Sequence, residues 1–245
     1  MVMGWQRVGP TAGIAAWAAA ALPLAVAALR ASNEVRRCGG TWAVGLDLLP
    51  NDPMGRVGGV AFPWADVGLA PEPLHRAQLS AVFPGYPQPS PDESDSAFDF
   101  RLKRDAAHLD GLLPVGANRQ RMVKEPHGWI LGLALNVSDG APLVVWDKSH
   151  EVVRAALIAA LAPHPPEVWG DVNLTAAYAA ARRRIFATCT RLELPVLPGT
   201  ATLLHRLTLH GVVPWQPGAT APPEGRIIAY FRPQLASVQE WLTRP

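Results

Sequence analysis

The chain has 245 residues, of which 49% are hydrophobic and 17% charged, and its formal net charge at pH 7 is +2. This apolar content is enough for a buried core and excludes a wholly disordered chain. The near balance of 22 basic and 20 acidic side chains excludes a dedicated nucleic-acid-binding protein, which carries a basic excess or stripe. The 21 glycines and 25 prolines are scattered, which predicts many short elements joined by tight turns.

The cysteine content and the N-terminal segment bear on the compartment of the protein. Cys38 and Cys189 are too few for a disulfide framework, and they favour a reducing, cytoplasmic environment. Residues 11–29 form a charge-free run of about the length of a membrane span, and Arg7 before it is also compatible with a secretory signal. Because the run is mostly alanine and contains Pro23, we expect a helix packed on a sheet and no stable membrane insertion.

Short strands and two more helices are predicted after this first helix. Strands are predicted at 41–46, within 97–109, and at 129–137, 143–146, 191–196, 200–207 and 226–232. Helices are predicted from Ser149 to about Leu161 and from about Leu174 to Ala187. The proline-rich and acidic stretch 84–96 is expected to be an exposed loop or lid.

This order of elements predicts a mainly β fold with flanking helices (α+β), arranged as an antiparallel barrel or jelly roll. No internal repeat or linker separates two cores, so we expect one domain over 1–245. Residues 1–96 are expected to form a helical and loop flank. The β core is expected over 97–232, with a helical insertion at about 150–188.

His108 and Asp110 form the first pair of residues that suggests chemistry. One residue separates them, so in an extended strand both side chains project to the same face. An imidazole nitrogen and a carboxylate oxygen can then bind one metal ion. A histidine from a distant strand would complete a two-histidine, one-carboxylate triad, which leaves coordination positions open on Fe(II).

The distant histidine is predicted to be His210. A Pro-Gly turn at 198–199 leads into an apolar strand that is expected to end at His210. His205 lies in the same segment and is interpreted as structural, with ligation by His205 in place of His210 as the alternative. Arg226 opens the last predicted strand, and its guanidinium can hold a carboxylate through two parallel hydrogen bonds.

Three blocks in this order resemble the phytanoyl-CoA dioxygenase-like family of Fe(II)/2-oxoglutarate-dependent oxygenases. They are the pair at 108–110, the segment 129–150 that ends at Ser149-His150, and the segment 198–231. The resemblance covers about half of the chain. It implies a double-stranded β-helix core, a jelly roll of the cupin-like kind.

The resemblance also implies the roles of the site residues. Fe(II) would be held at the catalytic centre by His108, Asp110 and His210, and Arg226 would bind the distal carboxylate of the cosubstrate 2-oxoglutarate. The implied activity is a dioxygenase that uses O₂ to hydroxylate a small-molecule substrate and releases succinate and CO₂. The presence of Asp110 favours hydroxylation, because related halogenases carry a small residue there so that a halide can bind the iron.

The chain departs from the family pattern at several positions. The interval from His210 to Arg226 is 16 positions, longer than expected, and residues 214–225 are expected to form an insertion. Val212 stands where relatives often carry a hydroxyl, and Leu109 where some carry a polar residue. The side-chain contacts of 2-oxoglutarate are therefore expected to differ from those of relatives.

Two alternatives to this interpretation remain open. One is a cupin-like metalloenzyme that uses another metal without 2-oxoglutarate, and Arg226 argues against it. The other is a catalytically silent jelly-roll binding module, and the complete triad argues against that. The expected partner is a small-molecule substrate, with no nucleic acid and no membrane insertion; the sequence does not identify the substrate.

Overall fold

The computed structural model describes residues 4–91 and 93–244. The strands are Trp5–Val8 (β1), Trp42–Gly45 (β2), Gln78–Val82 (β3), Leu112–Val115 (β4), Gln120–Val123 (β5), Trp129–Ala134 (β6), Leu143–Trp146 (β7), Arg191–Leu194 (β8), Ala201–His205 (β9), His210–Val212 (β10) and Arg226–Phe231 (β11). The α-helices are Ala12–Ala31 (α1), Trp64–Val67 (α2), Asp95–Lys103 (α3), Ser149–Leu161 (α4), Thr175–Thr188 (α5) and Val238–Thr243 (α6), and Pro166–Asp171 form a 3-10 helix.

The strands form antiparallel sheets. The larger sheet has six strands in the order β1-β9-β6-β11-β3-β2, the smaller has the order β10-β7-β8, and β4 and β5 form a separate hairpin. His108 makes an isolated antiparallel bridge with His210, so the segment around His108 extends the smaller sheet beyond β10. The mainly antiparallel fold with flanking helices agrees with the sequence prediction.

The two larger sheets pack face to face. Side chains alternate between the two faces of a strand. Ile130 and Leu204 of the six-stranded sheet cluster with Leu143, Val145 and Leu194 of the three-stranded sheet. The inner faces of the two sheets therefore enclose a common space, which we call the inter-sheet space.

Strand β11 shows which side chains enter the inter-sheet space. Ile227 and Phe231 belong to the core on the outer face of the six-stranded sheet. Arg226, Ile228 and Tyr230 line a cavity between the sheets. The basic residue at the start of β11 is thus directed inward by the two-residue period of the strand.

Helix α1 covers the outer face of the six-stranded sheet. The Thr11 hydroxyl accepts a hydrogen bond from the Ile14 N–H and caps the helix. The Trp17 ring packs edge-on against Phe62 and Phe231, with centroids 5.6 and 5.8 Å apart. Among the described residues, α1 is the one helix long and apolar enough to cross a membrane by length and composition; one face of it packs on the sheet, as predicted for the alanine-rich run.

Helices α4 and α5 cover the outer face of the three-stranded sheet, and both lie within one residue of their predicted bounds. Val144 and Trp146 of β7 join Leu157 and Ile185 of the two helices in one core. The Ser149 hydroxyl at the start of α4 accepts a hydrogen bond from the Leu209 N–H at 2.9 Å. This contact fixes the backbone directly before His210.

The strand predicted within 97–109 is wrong, because α3 occupies most of that segment. The Ser94 hydroxyl accepts from the Ala97 N–H and caps the helix. Asp99 and Lys103 form an i,i+4 ion pair at 2.6 Å on its exposed face. These local interactions favour a helix over the strand that the apolar residues alone suggested.

The segment before His210 also differs from the prediction. Strand β9 ends at His205, and residues 206–209 cross to the other sheet, where His210 begins β10. Leu207 and Leu209 are buried in the core under α4 and α5. The apolar residues of 200–210 therefore belong to two different cores, although their pattern in the sequence predicts a single strand.

The six-stranded sheet also extends beyond the predicted β core. Strands β1, β2 and β3 come from residues 1–96, which the sequence analysis assigned to a helical and loop flank. Strand β3 pairs with β11 on one side and β2 on the other. Its polar Gln78 and Ser80 alternate with apolar Leu79 and Ala81, which is typical of a half-buried strand, but the strand is only five residues long and was not among the predicted strands.

Candidate metal centre

The structure brings His108, Asp110 and His210 together. One potential ligand atom from each of them lies within 4.8 Å of the other two. Oδ1 of Asp110 is 3.2 Å from Nε2 of His108 and 3.7 Å from Nε2 of His210. A single metal ion at this point could contact all three side chains.

Backbone contacts hold the two histidines side by side. The His108 N–H donates to the His210 carbonyl at 2.8 Å, and the His210 N–H donates to the His108 carbonyl at 3.1 Å. A Cβ at Gly111, directly after Asp110, would lie 2.1 Å from the Glu125 carbonyl oxygen, and Gly111 has a φ of +82°. The close approach and the positive φ both require glycine at this position.

The hydrogen bonds of the imidazole rings fix which nitrogen faces the metal position. Nδ1 of His108 lies 3.0 Å from the Ala106 carbonyl oxygen, and Nδ1 of His210 lies 2.9 Å from that of Thr208. A carbonyl oxygen only accepts, so each Nδ1 carries a proton. Nε2 is therefore the nitrogen of each ring that faces the metal position, and it offers a lone pair once it is unprotonated. The hydrogen bond at Nδ1 orients the ring.

Burial and neighbouring charges shift the pKa values of the three candidate ligands. Burial, together with the charge of His108, lowers the pKa of His210 to about 4, so this ring is neutral at pH 7. Burial alone would raise the pKa of Asp110, but the hydrogen bond with His108 and the neighbouring positive charges hold it well below its usual value. Burial opposes protonation of His108, yet the hydrogen bond and charge of Asp110 raise its pKa.

The three candidate ligands differ in their exposure to solvent. The side chain of His108 is 51% exposed, whereas those of Asp110 and His210 are 11% and 8% exposed. Solvent or a substrate can therefore reach the metal position past His108.

Arg232 is a residue of this site that the sequence analysis did not assign to it. Its Nη1 lies 3.1 Å from Oδ2 of Asp110, and its Nη2 donates to the side-chain oxygen of Gln78. Arg232 leaves Oδ1 of Asp110 directed at the two histidines. The available signal was its even spacing from Arg226, which places both on the inner side of an extended chain.

Arg226 lies in a small cavity between the sheets. The residue is 3% exposed, and its Nε and Nη2 have no hydrogen-bond partner among the described residues. Burial lowers its pKa, and the neighbouring Tyr230 phenol opposes that change. No carboxylate of the described residues lines the cavity. The Thr202 hydroxyl also lines it and has no hydrogen-bond partner in the described part of the chain. A buried guanidinium without a counter-ion is costly, so the cavity is suited to an anion.

His205 lies outside the triad, so the structure does not support it as the alternative ligand. Its Nε2 is 2.9 Å from a guanidinium nitrogen of Arg154, and its Nδ1 accepts from the Leu207 N–H. Its ring lies 5.1 Å from that of His150. Burial and the nearby positive charges lower the pKa of His205 to about 3.

No protein-family model and no curated protein matches the sequence. Solved structures similar to the chain include the non-heme α-ketoglutarate-dependent carbocyclase SnoK from nogalamycin biosynthesis, with 12% identity, a TM-score of 0.48, and coverage of 97% of this chain and 84% of that chain. The non-heme α-ketoglutarate-dependent epimerase SnoN, also from nogalamycin biosynthesis, has 14% identity and a TM-score of 0.42, with coverage of 94% of this chain and 76% of that chain. EctD from S. alaskensis with 2-oxoglutarate and 5-hydroxyectoine has 15% identity, a TM-score of 0.42, and coverage of 94% and 71%.

Proposed function

We propose that this chain is an Fe(II)/2-oxoglutarate-dependent dioxygenase that hydroxylates a small molecule and releases succinate and CO₂. The observation that carries the proposal is the pairing of two features at the inter-sheet space. His210, one member of the two-histidine, one-carboxylate cluster, pairs with Val145, whose side chain lies in the inter-sheet cluster, so His210 lies on the inner side of its sheet. Arg226 is buried in the same space, and its Nε and Nη2 have no hydrogen-bond partner among the described residues. We further propose that the chain is a single cytoplasmic domain of the phytanoyl-CoA dioxygenase-like kind.

The path of the chain supports a double-stranded β-helix core. After β3 in the larger sheet, the bridge at His108 belongs to the smaller sheet and β6 to the larger one. Strands β7 and β8 lie in the smaller sheet, β9 in the larger, β10 in the smaller and β11 in the larger. As a result of this repeated crossing between two antiparallel sheets, His108 and His210 lie on the smaller sheet and Arg226 lies on the larger one.

The donor set fits iron. Two imidazole nitrogens and one carboxylate oxygen leave open positions for a cosubstrate and O₂, as in non-haem Fe(II) oxygenases. Asp110 would bind through one oxygen, because Arg232 holds the other. His210 is neutral at pH 7 and binds without losing a proton. When bound, Fe(II) and 2-oxoglutarate would supply the electrons that activate O₂ for oxidation of the substrate.

Polar groups in the inter-sheet cavity could hold the carboxylate end of the cosubstrate. Arg226 would hold the distal carboxylate of 2-oxoglutarate through its two unpartnered guanidinium nitrogens, with the Thr202 hydroxyl available as a further donor. Ile130 and Leu204 line the same cavity and exclude water from the ion pair. Val212 packs in an apolar cluster beside Val82 and would offer the cosubstrate no side-chain hydrogen bond.

The test is Fe(II) binding together with succinate formation by the purified protein. We expect Fe(II) to bind the wild type and 2-oxoglutarate to be converted to succinate. In Asp110→Ala, the loss of the one anionic ligand should weaken Fe(II) binding and abolish hydroxylation. Metal binding with no effect of 2-oxoglutarate would favour the cupin-like alternative, and absence of metal binding would favour a silent binding module.

A further inference from the structure

A second cavity opens beside the metal position, and we call it the outer cleft. It has a volume of about 1180 Å³, including its open mouth, and Gln78, Glu125, His127 and Arg232 are among the residues that line it. Arg232 joins it to the metal centre through the 3.1 Å contact with Asp110. A molecule that contacts Arg232 in the outer cleft is therefore one side chain away from Asp110.

The charge of the outer cleft is predominantly negative. Asp47, Glu72 and Glu125 line it, and Arg232 is its one Arg or Lys side chain. The positive charge of Arg232 is already offset by Asp110. Within residues 4–91 and 93–244, none of the three carboxylates forms an ion pair with an arginine or a lysine.

The side chains that contact two of these carboxylates, Glu72 and Asp47, are uncharged. Glu72 accepts a hydrogen bond from the Trp129 indole at 2.9 Å. Asp47 lies 3.3 Å from Nδ1 of His75, while Nε2 of His75 accepts from the Arg232 N–H at 2.8 Å. A ring that accepts at one nitrogen is uncharged, so His75 does not neutralise Asp47.

The contacts of His127 independently indicate that a hydrogen-bond donor is missing from the outer cleft. Its side chain is 5% exposed, and its Nδ1 donates to the Arg232 carbonyl at 3.2 Å. Burial lowers the pKa of His127, which favours the neutral ring. Its Nε2 therefore carries a lone pair, has no hydrogen-bond partner among the described residues, and faces a Glu125 oxygen at 3.4 Å.

Two hydrogen-bond acceptors thus face each other without a proton between them. A group with several N–H donors and a positive charge would satisfy both His127 and Glu125 and would be attracted by Glu72. We infer that the outer cleft binds the substrate of this enzyme through a cationic amino group on that substrate. The inference rests on the proposed function only in treating the occupant of the cleft as the substrate.

The experiment compares the binding of amines with that of their uncharged acetylated forms. Hexylamine and tryptamine are each compared with their N-acetyl derivatives, and hexanoate and indole-3-propionate serve as anionic counterparts. Dissociation constants are measured on the Fe(II) and 2-oxoglutarate-loaded protein without oxygen, and again on the metal-free protein. We expect at least one amine to bind at least fivefold more tightly than its acetylated form, in both states.

Two variants and one control test where the preference arises. Glu72→Gln and Glu125→Gln retain size but remove charge, and each should raise the dissociation constant of the amine towards that of its acetylated form. Glu167→Gln removes an exposed carboxylate of the 3-10 helix, far from the cleft residues in the sequence, and should leave the preference unchanged. Circular dichroism and Fe(II) binding of each variant report on folding.

The outcomes distinguish failure of the amine-binding inference from failure of the proposed dioxygenase function. If no amine binds more tightly than its acetylated partner, or if the anions bind best, the inference is wrong even where succinate is formed. An amine preference that persists in a protein unable to bind Fe(II) would support the cleft and reject the proposed function. A preference that survives both glutamate substitutions would place the amine elsewhere and overturn the inference.

Discussion

Asp110 uses its two carboxylate oxygens for different partners. Oδ1 faces the two histidines, and Oδ2 accepts from Arg232. Groups that hold a metal ligand in place typically contribute ten- to a hundredfold to metal affinity. Arg232 is therefore a positioning residue in this site.

Replacing this arginine should weaken metal binding without removing a ligand. We predict that Arg232→Gln lowers Fe(II) affinity by about tenfold, because Oδ2 loses a charged donor and the carboxylate is free to turn. Anaerobic Fe(II) titration checks this prediction. Arg244→Gln, at an exposed ion pair with Glu240, is the matched control, and equal affinities of the two variants would contradict the role of Arg232.

Arg226→Ala should separate cosubstrate binding from metal binding. The three ligands remain, so Fe(II) affinity should be unchanged, while the 2-oxoglutarate concentration needed for half-maximal succinate formation should rise by tenfold or more as a charge-assisted contact is lost. Arg226→Lys should recover part of the loss. An unchanged 2-oxoglutarate dependence would mean that Arg232 or another cation holds the carboxylate.

The pH dependence of metal binding follows from His108. Its pKa is raised above the ordinary value of 6.5 by Asp110, so a metal must displace one proton from it at lower pH. His210, with a pKa of about 4, carries no proton to displace. We predict that Co(II) affinity rises with pH from 6 until the pH passes the raised pKa of His108, with release of one proton. Calorimetry in buffers of different ionisation enthalpy measures that proton, and a flat affinity would contradict the prediction.

At the scale of elements, two glycines permit the approach of the ligand-bearing segments. A Cβ at Gly111 would meet the Glu125 carbonyl oxygen at 2.1 Å, and one at Gly211 would meet that of Asp105 at the same distance. Both glycines directly follow a candidate ligand. The segments that carry the ligands can therefore pack closely against neighbouring backbone.

Gly111→Ala should disturb the site, and Gly116→Ala should not. Both residues have a positive φ, but a Cβ at Gly116 would meet nothing within 4 Å. We predict that Gly116→Ala costs about 1 kcal/mol of unfolding free energy from backbone strain alone. Gly111→Ala should cost more and reduce Fe(II) affinity, because the backbone after Asp110 must move. Chemical denaturation and Fe(II) titration check both, and equal behaviour of the two variants would contradict the steric argument.

The sequence predicted the elements with strong local signals. Helices α4 and α5 and strand β7 lie where apolar periodicity placed them, because those faces pack against a core. Helix α3 was missed because a serine cap and charged pairs, rather than an apolar face, stabilise it. Strand β3 was missed because polar residues on its inner face contribute to the site instead of the core.

At the scale of the whole molecule, the site depends on register between distant strands. The His-X-Asp spacing and the family resemblance together predicted the roles of His108, Asp110, His210 and Arg226. The structure groups the first three and buries Arg226 in the inter-sheet cavity. The spacing of Arg232 from Arg226 indicates only which face it occupies. Its contact with Asp110 and the outer cleft were not predictable, because they depend on the pairing of Tyr230 with Gln78 across β11 and β3. That pairing brings Arg232 near both Gln78 and Asp110.

The central claim is that one space between the sheets holds iron at one point and 2-oxoglutarate between that point and Arg226. The most direct measurement is diffraction from crystals grown without oxygen with Fe(II) and 2-oxoglutarate, with data collected at the iron absorption edge. The account predicts one anomalous peak bound by His108, Asp110 and His210, and density for a dicarboxylate that ends at Arg226. An anomalous peak on other residues, or a dicarboxylate bound away from Arg226, would contradict it.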